Sequence, residues 1–274
     1  DVHALVPHYT DASQVPEHLQ KYFAQRMRFF SRYADGCLLD EEGWYSVTPE
    51  AIADRIAERC RCGTILDAFC GVGGNAIAFA KTCERVIALD ISPARLALAR
   101  HNAEIYGVAD RIEFILADFV SFARTTRPSS PSSSQAPFPD PSTRTIDVVF
   151  LSPPWGGPSY LSGSVSTALP ATEDDIERHP EFGLDGVAPV HGRELFALAR
   201  RLTRNVAYYL PRNTRLGDVA ALLDESVGPS ATSGTKRKRS PQERVEVEEE
   251  WMGNKLKALT CYFGGLVEGQ DDLW

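Results

Sequence analysis

A Rossmann-like α/β fold with a doubly wound, mostly parallel sheet is predicted by three features of the sequence. Short apolar segments of strand length alternate with segments of helical periodicity from about residue 64 to residue 224. A glycine-rich run, Asp67–Asn75, stands where the first strand passes into a helix, and Asp90 ends the second strand. Strands alternating with helices are typical of parallel sheets covered on both faces, which bind ligands at the carboxyl ends of their strands.

Each element follows from its own pattern. Five short apolar runs predict strands at Thr64–Phe69, Arg85–Asp90, Ile112–Ala117, Ile146–Leu151 and Val206–Leu210. Helical periodicity predicts helices at Asn75–Thr82, Pro93–Tyr106 (ended by Gly107), Arg193–Thr203 and Leu216–Asp224. Two last segments, Arg244–Glu249 and Ala258–Phe263, are expected to pair as an antiparallel hairpin at the sheet edge.

Residues 1–60 are predicted to form a small helical extension ahead of the sheet domain, residues 61–274. In Val15–Tyr33, apolar and aromatic side chains recur at steps of three and four residues, which predicts a helix. Thr48, Pro49 and Glu50 have the pattern of an N-cap, a first-turn proline and an acidic first turn. A second helix of the extension is therefore expected to reach about Arg59.

Two segments of biased composition are predicted to be flexible insertions into the sheet domain. The stretch from about 126 to 145 is dense in proline and serine, and the stretch from about 228 to 244 is polar. The second contains Lys236–Arg239, which suggests a nuclear-import signal or a solvated run of charge.

Composition limits the classes of function. The net charge of −8 argues against a protein that coats long nucleic acid, but a local basic cluster could still recognise one nucleotide or an RNA end. No apolar run reaches the roughly 18 residues that span a bilayer, so no membrane partner is expected. The six cysteines lack paired metal-ligand spacing, so we expect reduced thiols and no metal. The chain does not begin with methionine, and we expect it to be part of a longer protein.

The glycine-rich run favours S-adenosylmethionine over a dinucleotide. Asp67 precedes the glycines, where it suits the cationic amino-acid end of that cofactor but would repel a pyrophosphate. Asp90 is placed to bind ribose hydroxyls, and Asp118 with Phe119 to meet the adenine edge and face. Singly, each aspartate could instead be a turn or capping residue. The remaining predicted cofactor residues belong to the loop itself: Phe69, Cys70, Gly71, Gly73 and Asn75.

A second motif, Ser152-Pro153-Pro154-Trp155, follows the fourth strand. Its prolines remove N–H donors and stiffen the turn, which leaves backbone carbonyls and the Ser152 hydroxyl to accept hydrogen bonds from an amine. The aromatic ring of Trp155 offers a stacking face for a base. The alternative is a proline-rich loop with a core tryptophan. The motif resembles the Asn/Asp/Ser-Pro-Pro-aromatic signature of amino methyltransferases.

With these residues in view, the chain resembles the trimethylguanosine synthase family, a class I methyltransferase family that acts on RNA caps. The resemblance extends in order from about residue 20 to residue 265. The matching stretches are Lys21–Arg26, Glu42–Glu50, Asp67–Asn75, Ala99–Gly107, Phe150–Pro158 with Tyr160, Leu210–Asn213 and Asn254–Lys257. The long Leu161–Pro189 stretch departs from the family.

The resemblance implies roles for residues of this sequence. Trp155 would stack on the 7-methylguanine base, Ser152 and Pro153 would orient its N2 amine, and Asn102 would lie near that amine. Contacts to the cap phosphates are implied for Lys21, Tyr160, Arg212 and Lys257. Ser46 and Thr48 would line the cleft between the extension and the sheet.

The resemblance also implies the reaction and its setting. Two in-line methyl transfers from S-adenosylmethionine would give a 2,2,7-trimethylguanosine cap on small nuclear and small nucleolar RNAs, with S-adenosylhomocysteine as the product of each step. A monomeric domain in the nucleus or nucleolus, with some cytoplasmic presence and ribonucleoprotein partners, is expected. Two alternatives stay open: a guanine-N2 or adenine-N6 methyltransferase acting on rRNA or DNA, and an inactive cap-binding module.

Overall fold

A seven-stranded sheet organises the chain, in the order β3-β2-β1-β4-β5-β7-β6. The computed structural model describes residues 2–126, 146–156, 181–224, 243–270 and 274. The strands are β1 Thr64–Asp67, β2 Arg85–Asp90, β3 Ile112–Leu116, β4 Val148–Leu151, β5 Asn205–Pro211, β6 Glu246–Met252 and β7 Lys255–Phe263. The first five strands pair in parallel, and β7 runs antiparallel to both β5 and β6. The predicted doubly wound α/β fold and the terminal hairpin are both confirmed.

Helices cover the two faces of this sheet. They are α1 Gln20–Phe23, α2 Arg26–Phe29, α3 Glu41–Ser46, α4 Glu50–Arg59, α5 Gly74–Thr82, α6 Pro93–Tyr106, α7 Phe119–Thr125, α8 Gly192–Leu202 and α9 Leu216–Asp224. Helix α6 begins at the Ser92 hydroxyl, which accepts from the Arg95 N–H, and ends at Gly107 with a φ of 71°. These are the cap and stop that the sequence indicates.

Successive residues of the central strands enter two different cores. Ile65 and Phe150 pack with α4, α5 and the N-terminal residues on one face, whereas Leu66 and Leu151 pack with α7 and α8 on the other. This alternation is the two-residue period of a strand that is buried on both sides. The sheet is therefore a rigid base, and its strand ends hold attached loops in fixed positions.

The N-terminal segment differs from its prediction. One helix over Val15–Tyr33 was expected, but short α1 and α2 with flanking 3₁₀ turns occupy it. Phe30 is extended (φ −134°), and it is buried together with its neighbour Phe29. Adjacent residues of a regular helix point about 100° apart, so a broken chain buries both rings more fully. The winding also places Phe23 and Tyr33 around the buried ring of Trp44.

Polar contacts fix this extension to the sheet domain. The Arg95 guanidinium of α6 donates to Asp40 at 2.8 Å and also to Glu42. Asp40 in turn caps α3, because its carboxylate accepts from the Gly43 N–H at 2.8 Å. A Cβ at Gly43 would lie 3.1 Å from Val72 in the glycine-rich loop, so α3 approaches that loop very closely. The boundary near residue 60 stays a prediction.

Several sequence features fall outside the described residues, among them most of both predicted insertions and the Lys236–Arg239 run.

All six cysteines are free thiols, and the sulfur atoms of Cys62 and Cys83 lie 3.8 Å apart. Within the described residues, no group of three potential ligands could hold a metal ion. Among those same residues, no helix is both long and apolar enough to cross a membrane.

Candidate active site

A cavity of about 560 Å³ opens at the carboxyl ends of the central strands. Loops after β1, β2, β3 and β4 form one side of it, and α1, α3 and the segment before α4 form the other. The β6–β7 hairpin contributes the remaining edge through Lys255, Leu256 and Lys257. A cleft in this position is where open α/β sheets bind ligands.

The glycine-rich loop forms the floor of the cavity. Its Cys70 N–H donates to the Leu89 carbonyl at 2.8 Å, which ties the loop to β2. Gly71 has a φ of 52°, and a Cβ there would meet nothing within 4 Å, so its backbone faces open space. Gly73 (φ 92°) does not line the cavity, because it lies against the backbone of Ala99 in α6. Gly71 is therefore placed to contact a ligand, and Gly73 brings α6 close to the loop.

Asp67 lies beneath this loop and outside the cavity wall. It is fully buried; its Oδ1 accepts weakly from the Phe69 N–H at 3.4 Å, and Oδ2 has no hydrogen-bond partner in the described structure. Burial, together with the negative charge of Asp90, raises the pKa of Asp67 to about 7. A buried carboxylate with an unused oxygen is stabilised by a nearby cation, so its charge favours a cationic ligand across the loop.

Asp90 joins the loop to the cavity from the end of β2. Its two carboxylate oxygens accept from the Gly71 N–H at 3.0 Å and the Ser92 N–H at 2.8 Å. Burial raises the pKa of Asp90 above its ordinary value, against the lowering effect of the Ser92 hydrogen bond. Asp90 lines the cavity, and each oxygen keeps capacity for a further donor such as a hydroxyl.

Asp118 both caps helix α7 and lines the cavity. Its carboxylate caps α7 by accepting from the Val120 N–H at 3.3 Å and the Ser121 N–H at 2.9 Å. Burial raises the pKa of Asp118, but the Ser121 hydrogen bonds outweigh it and leave the pKa below the ordinary value. Asp118 and the buried Phe119 also line the cavity. The ring of Phe69 lies 5.7 Å from that of Phe119, so the two form one apolar surface.

Ile91 completes this end of the cavity, and sequence reasoning missed it. It is 73% exposed although it is a large apolar residue directly after β2. Its side chain lines the same pocket as Asp90 and Asp118. The signal that could have identified Ile91 is an apolar residue directly after a carboxylate at a strand end. Such a pair suits a nucleoside, because the carboxylate accepts from the ribose hydroxyls and the apolar side chain packs on the flat base.

The Ser152–Trp155 loop forms the wall opposite the extension. The Ser152 hydroxyl lies 3.4 Å from the Phe69 carbonyl, which connects this loop to the glycine-rich loop. Ser152, the buried Pro153 and the half-buried Trp155 all line the cavity. The Trp155 ring packs on Tyr209 of β5, with centroids 5.3 Å apart and planes at 32°. Sequence reasoning missed Tyr209, which supports the tryptophan from behind.

A cationic cluster lies at the mouth of the cavity. Lys21, Arg212, Lys255 and Lys257 line it, and none of them forms an ion pair with another described residue. Burial lowers the pKa of Lys257, and the charges of Lys255, Arg212 and Arg28 lower it further. Uncompensated positive charges held together in this way favour a polyanion.

A bulge in the terminal hairpin produces part of this cluster. Glu250 pairs with Ala258, but the next residue, Trp251, pairs with Leu256, so Lys257 is the additional residue on β7. A bulge of this kind redirects side chains, and Leu256 and Lys257 both reach the cavity although they are adjacent. Lys255 was not among the predicted phosphate ligands. Lys255 lies in the same matching stretch as Lys257, Asn254–Lys257, and the structure adds it to the cluster.

The extension contributes Ser46 and Thr48 to the cavity, as predicted from the sequence. The Thr48 hydroxyl is buried and accepts from the Asn75 Nδ2 at 3.0 Å, which connects the extension to α5. Lys21 lies on the same side, in α1. A ligand in the cavity therefore contacts both the extension and the sheet loops.

Asn102 does not take its predicted place beside a reacting amine. It is fully buried in α6, and its Oδ1 accepts from the Leu38 N–H at 2.8 Å. Its Nδ2 donates to the Leu38 and Val72 carbonyls, both at 2.9 Å. Asn102 is therefore not among the residues that line the cavity, and its three bonds to backbone groups fasten the extension to the glycine-rich loop. Tyr160, another predicted ligand, lies outside the described residues.

Comparison with known proteins gives consistent results. The profile of a family described as RNA cap guanine-N2 methyltransferase matches residues 62–266. A trimethylguanosine synthase of Schizosaccharomyces pombe is 37% identical over 212 residues, which is 76% of each chain. The trimethylguanosine synthase of Saccharomyces cerevisiae is 32% identical over 219 residues, 78% of this chain and 61% of that one.

The fold is also found among solved structures. One of them is a candidate methyltransferase of Porphyromonas gingivalis W83, with a TM-score of 0.53 and 14% identity. The match covers 96% of this chain and 54% of that one. At this identity the likeness shows a shared fold alone.

Proposed function

The chain belongs to the RNA cap guanine-N2 methyltransferase family, and from this premise we propose how its cavity performs cap methylation. It transfers methyl groups from S-adenosylmethionine to the N2 amine of a 7-methylguanosine RNA cap, in two steps. The observation that carries this proposal is that one cavity brings together an acidic floor, an aromatic wall and a cationic mouth. These three parts correspond to a cationic cofactor, a methylated base and a phosphate chain.

The residues of the cavity floor fit S-adenosylmethionine. Asp67, buried beneath this floor, has one carboxylate oxygen without a hydrogen-bond partner, and its negative charge would attract the ammonium group of the cofactor. Gly71 leaves open space above the loop for the ligand. Asp90, which lines the cavity, would hold the ribose hydroxyls, and Asp118, Phe119 and Ile91 would enclose the adenine. When bound, the cofactor supplies a methyl group already activated as a sulfonium.

The aromatic wall positions the acceptor base. A 7-methylguanine is cationic, so a tryptophan face is a favourable partner for it, by roughly 0.5–2 kcal/mol. Tyr209 fixes the plane of Trp155 from the other side. The Ser152 hydroxyl and the Pro153 carbonyl then accept from the N2 amine and direct its weak lone pair at the methyl group. Catalysis arises mainly from positioning, and the amine proton passes to solvent after transfer.

The cationic mouth explains how an acidic chain binds an RNA end. Lys21, Arg212, Lys255 and Lys257 hold the phosphates between the cap and the first nucleotide. As part of this proposal, the substrates are capped small nuclear and small nucleolar RNAs and the enzyme acts in the nucleus, and the family resemblance supports both assignments.

The activity is tested with labelled S-adenosylmethionine and two dinucleotides, 7-methyl-GpppA and GpppA, with products resolved by mass. Methyl transfer to 7-methyl-GpppA and not to GpppA would support the proposal, because 7-methylguanine alone carries the positive charge that Trp155 recognises. Transfer to neither, with cofactor binding intact, favours a methyltransferase acting on rRNA or DNA. Cap binding without cofactor binding would identify an inactive cap-binding module.

Asp67→Asn is expected to stabilise the ligand-free protein at pH 8 while weakening cofactor binding. The folded-state pKa of Asp67 is about 7, against 3.8 for the ordinary group. At a pH between these two values, Asp67 carries a proton in the folded chain but not in the unfolded chain. Stability therefore falls as pH rises through this window, by on the order of 4 kcal/mol, and asparagine avoids this loss.

Two pH series check this expectation. The difference in free energy of unfolding between Asp67→Asn and the wild type should shrink as pH is lowered toward 4. Cofactor affinity of the wild type should rise from pH 6 to pH 8 as Asp67 ionises, and that rise should be absent in the variant. Equal cofactor affinity and an equal pH dependence in both proteins would show that Asp67 has no electrostatic role.

Lys257→Ala is expected to raise the KM for the capped dinucleotide about tenfold with little change in kcat. A charge-assisted contact to phosphate typically contributes about 1.5 kcal/mol, and it is present before and during the reaction. The matched control is Arg201→Ala, which removes one positive charge from an exposed site on α8, outside the cavity. An equal rise in KM in both variants would mean that overall charge, not a local contact, binds the substrate.

A further inference from the structure

Two thiols lie together at the end of the sheet opposite the cavity. Cys62 stands shortly before β1, and Cys83 stands between the end of α5 and the start of β2. Their sulfur atoms are 3.8 Å apart, within reach of a thiol–thiol hydrogen bond. The cavity opens at the carboxyl ends of these strands and neither cysteine lines it, so the proposed function makes no use of this pair.

Backbone hydrogen bonds hold the two cysteines side by side where their chains enter the sheet. The Arg85 N–H donates to the Gly63 carbonyl at 2.9 Å, and the Glu84 N–H donates to the Cys62 carbonyl at 3.3 Å. Backbones joined in this way lie roughly 4.8 Å apart, and the Cα atoms of disulfide-bonded cysteines lie about 4.4–6.8 Å apart. A bond between Cys62 and Cys83 therefore requires rotation of two side chains and little movement of the backbone.

The pair combines an accessible sulfur atom with a stabilised thiolate. Cys62 is half-buried, whereas Cys83 is only 3% exposed, so a small oxidant reaches Cys62 first. The hydrogen bond between the two thiols lowers the pKa of Cys83 to about 7, against the raising effect of burial. The same bond raises the pKa of Cys62, and burial raises it further. The pair therefore shares one thiolate near neutral pH, and a proton that passes across the hydrogen bond places that thiolate on Cys62.

The neighbouring thiols are less reactive. Cys60 is fully buried, and burial raises its pKa above the ordinary value. Its part in the contact is its backbone carbonyl, which accepts from the Cys83 thiol at 3.5 Å. Burial also raises the pKa of Cys37 and of Cys261 to about 12. Oxidation is therefore expected to select Cys62 and Cys83.

We propose that Cys62 and Cys83 are a redox modification site, at which a small disulfide such as oxidised glutathione converts the two thiols into a reversible disulfide bond. The Cys62 thiolate attacks one sulfur of the oxidant, which breaks the S–S bond of the oxidant, forms a mixed disulfide on Cys62 and releases one glutathione. The Cys83 thiolate then attacks the Cys62 sulfur and releases the second glutathione. The cysteines give up two electrons and two protons, which the two glutathione thiols carry away.

The bond joins the two ends of the segment that carries the glycine-rich loop. It restricts the unfolded chain, so the oxidised protein is expected to resist heat better than the reduced protein. Cys62 precedes β1 and Asp67 ends it, roughly 16 Å further along an extended chain. The modification therefore stabilises the fold from the end of the sheet that is remote from the cavity.

The site is tested by equilibrating the full chain with glutathione buffers of increasing oxidised fraction, followed by intact mass, peptide mapping and thermal unfolding. Trypsin cleaves after Arg61, Lys81 and Arg85, so Cys62 and Cys83 fall on separate peptides. We expect the wild type to lose two hydrogen atoms and to show these two peptides joined. Its Tm should rise by about 5 °C and return to the starting value when reduced glutathione is restored. Affinity for S-adenosylhomocysteine should change little.

Single serine variants provide the controls. Cys62→Ser and Cys83→Ser should each lose both the disulfide and the rise in Tm. Cys37→Ser is the matched control, because the Cys37 thiol donates to the Arg32 carbonyl at 3.4 Å and a serine hydroxyl can make the same bond, so this variant should keep both effects. A wild type that stays reduced in oxidised glutathione, that retains glutathione on Cys62 without closing the bond, or that links Cys83 to a different cysteine would overturn the proposal.

Discussion

Replacing Trp155 with alanine is expected to lower kcat/KM for cap methylation by on the order of 100-fold. The change removes the stacking face and the cation–π contact, which together contribute about 3 kcal/mol, and it leaves the N2 amine without a fixed direction. Cofactor affinity should stay within about twofold of the wild type, because the cofactor residues lie on the other loops. The measurement is steady-state methylation of 7-methyl-GpppA beside calorimetric titration with S-adenosylhomocysteine.

Two further variants separate stacking from folding. Trp155→Phe keeps an aromatic face of smaller size and should recover a large part of the lost activity. Tyr209→Leu keeps the apolar volume behind Trp155 but removes the ring that lies 5.3 Å from it, so we expect a smaller loss, mainly in kcat. Near wild-type activity in Trp155→Ala would exclude the stacking account.

Asp90→Ala is expected to weaken cofactor binding by about 100-fold. Asp90 is the one predicted cofactor residue that both lines the cavity and accepts from the backbone of the glycine-rich loop. Its loss removes acceptors for the ribose hydroxyls, at about 1.5–3 kcal/mol for a charged acceptor, and leaves the Gly71 N–H without this partner. Binding of a cap analogue should change little, because Asp90 lies away from the cationic mouth.

The comparison with Asp118→Ala sharpens this result. Asp118 mainly caps α7, so its removal should cost about 1 kcal/mol of stability and weaken the cofactor less than Asp90→Ala does. Titrations of both variants with S-adenosylhomocysteine and with 7-methyl-GDP give the four affinities. Equal losses of cofactor and cap affinity in Asp90→Ala would indicate disrupted folding instead of a lost contact.

Much of the sheet domain could be predicted because its signals are local. Apolar runs end at polar or glycine residues, and the bounds predicted for Arg85–Asp90, Pro93–Tyr106 and Leu216–Asp224 agree with the structure. The carboxyl ends of parallel strands meet at one edge, so the sequence alone predicts that residues far apart along the chain, such as Asp90 and Ser152, share one site.

The remaining features depend on tertiary contacts that leave weak traces in sequence. The break between α1 and α2 arises because several aromatic side chains surround Trp44, and periodicity alone predicts one helix there. Asn102 lies in a motif stretch, but its amide is used by backbone groups of Leu38 and Val72. The position of Lys257 depends on a bulge, which a pattern of alternating residues does not reveal.

The most direct test of the central claim identifies the atom that accepts the methyl group. Three dinucleotides are incubated with S-adenosylmethionine: 7-methyl-GpppA, its N2-monomethyl derivative, and 7-methylinosine-pppA, which keeps the charged ring but lacks the N2 amine. We predict two added methyl groups on the first, one on the second and none on the third, with the third acting as a competitive inhibitor. Methyl transfer to the 7-methylinosine substrate would contradict the account, because the acceptor would then be an atom other than N2.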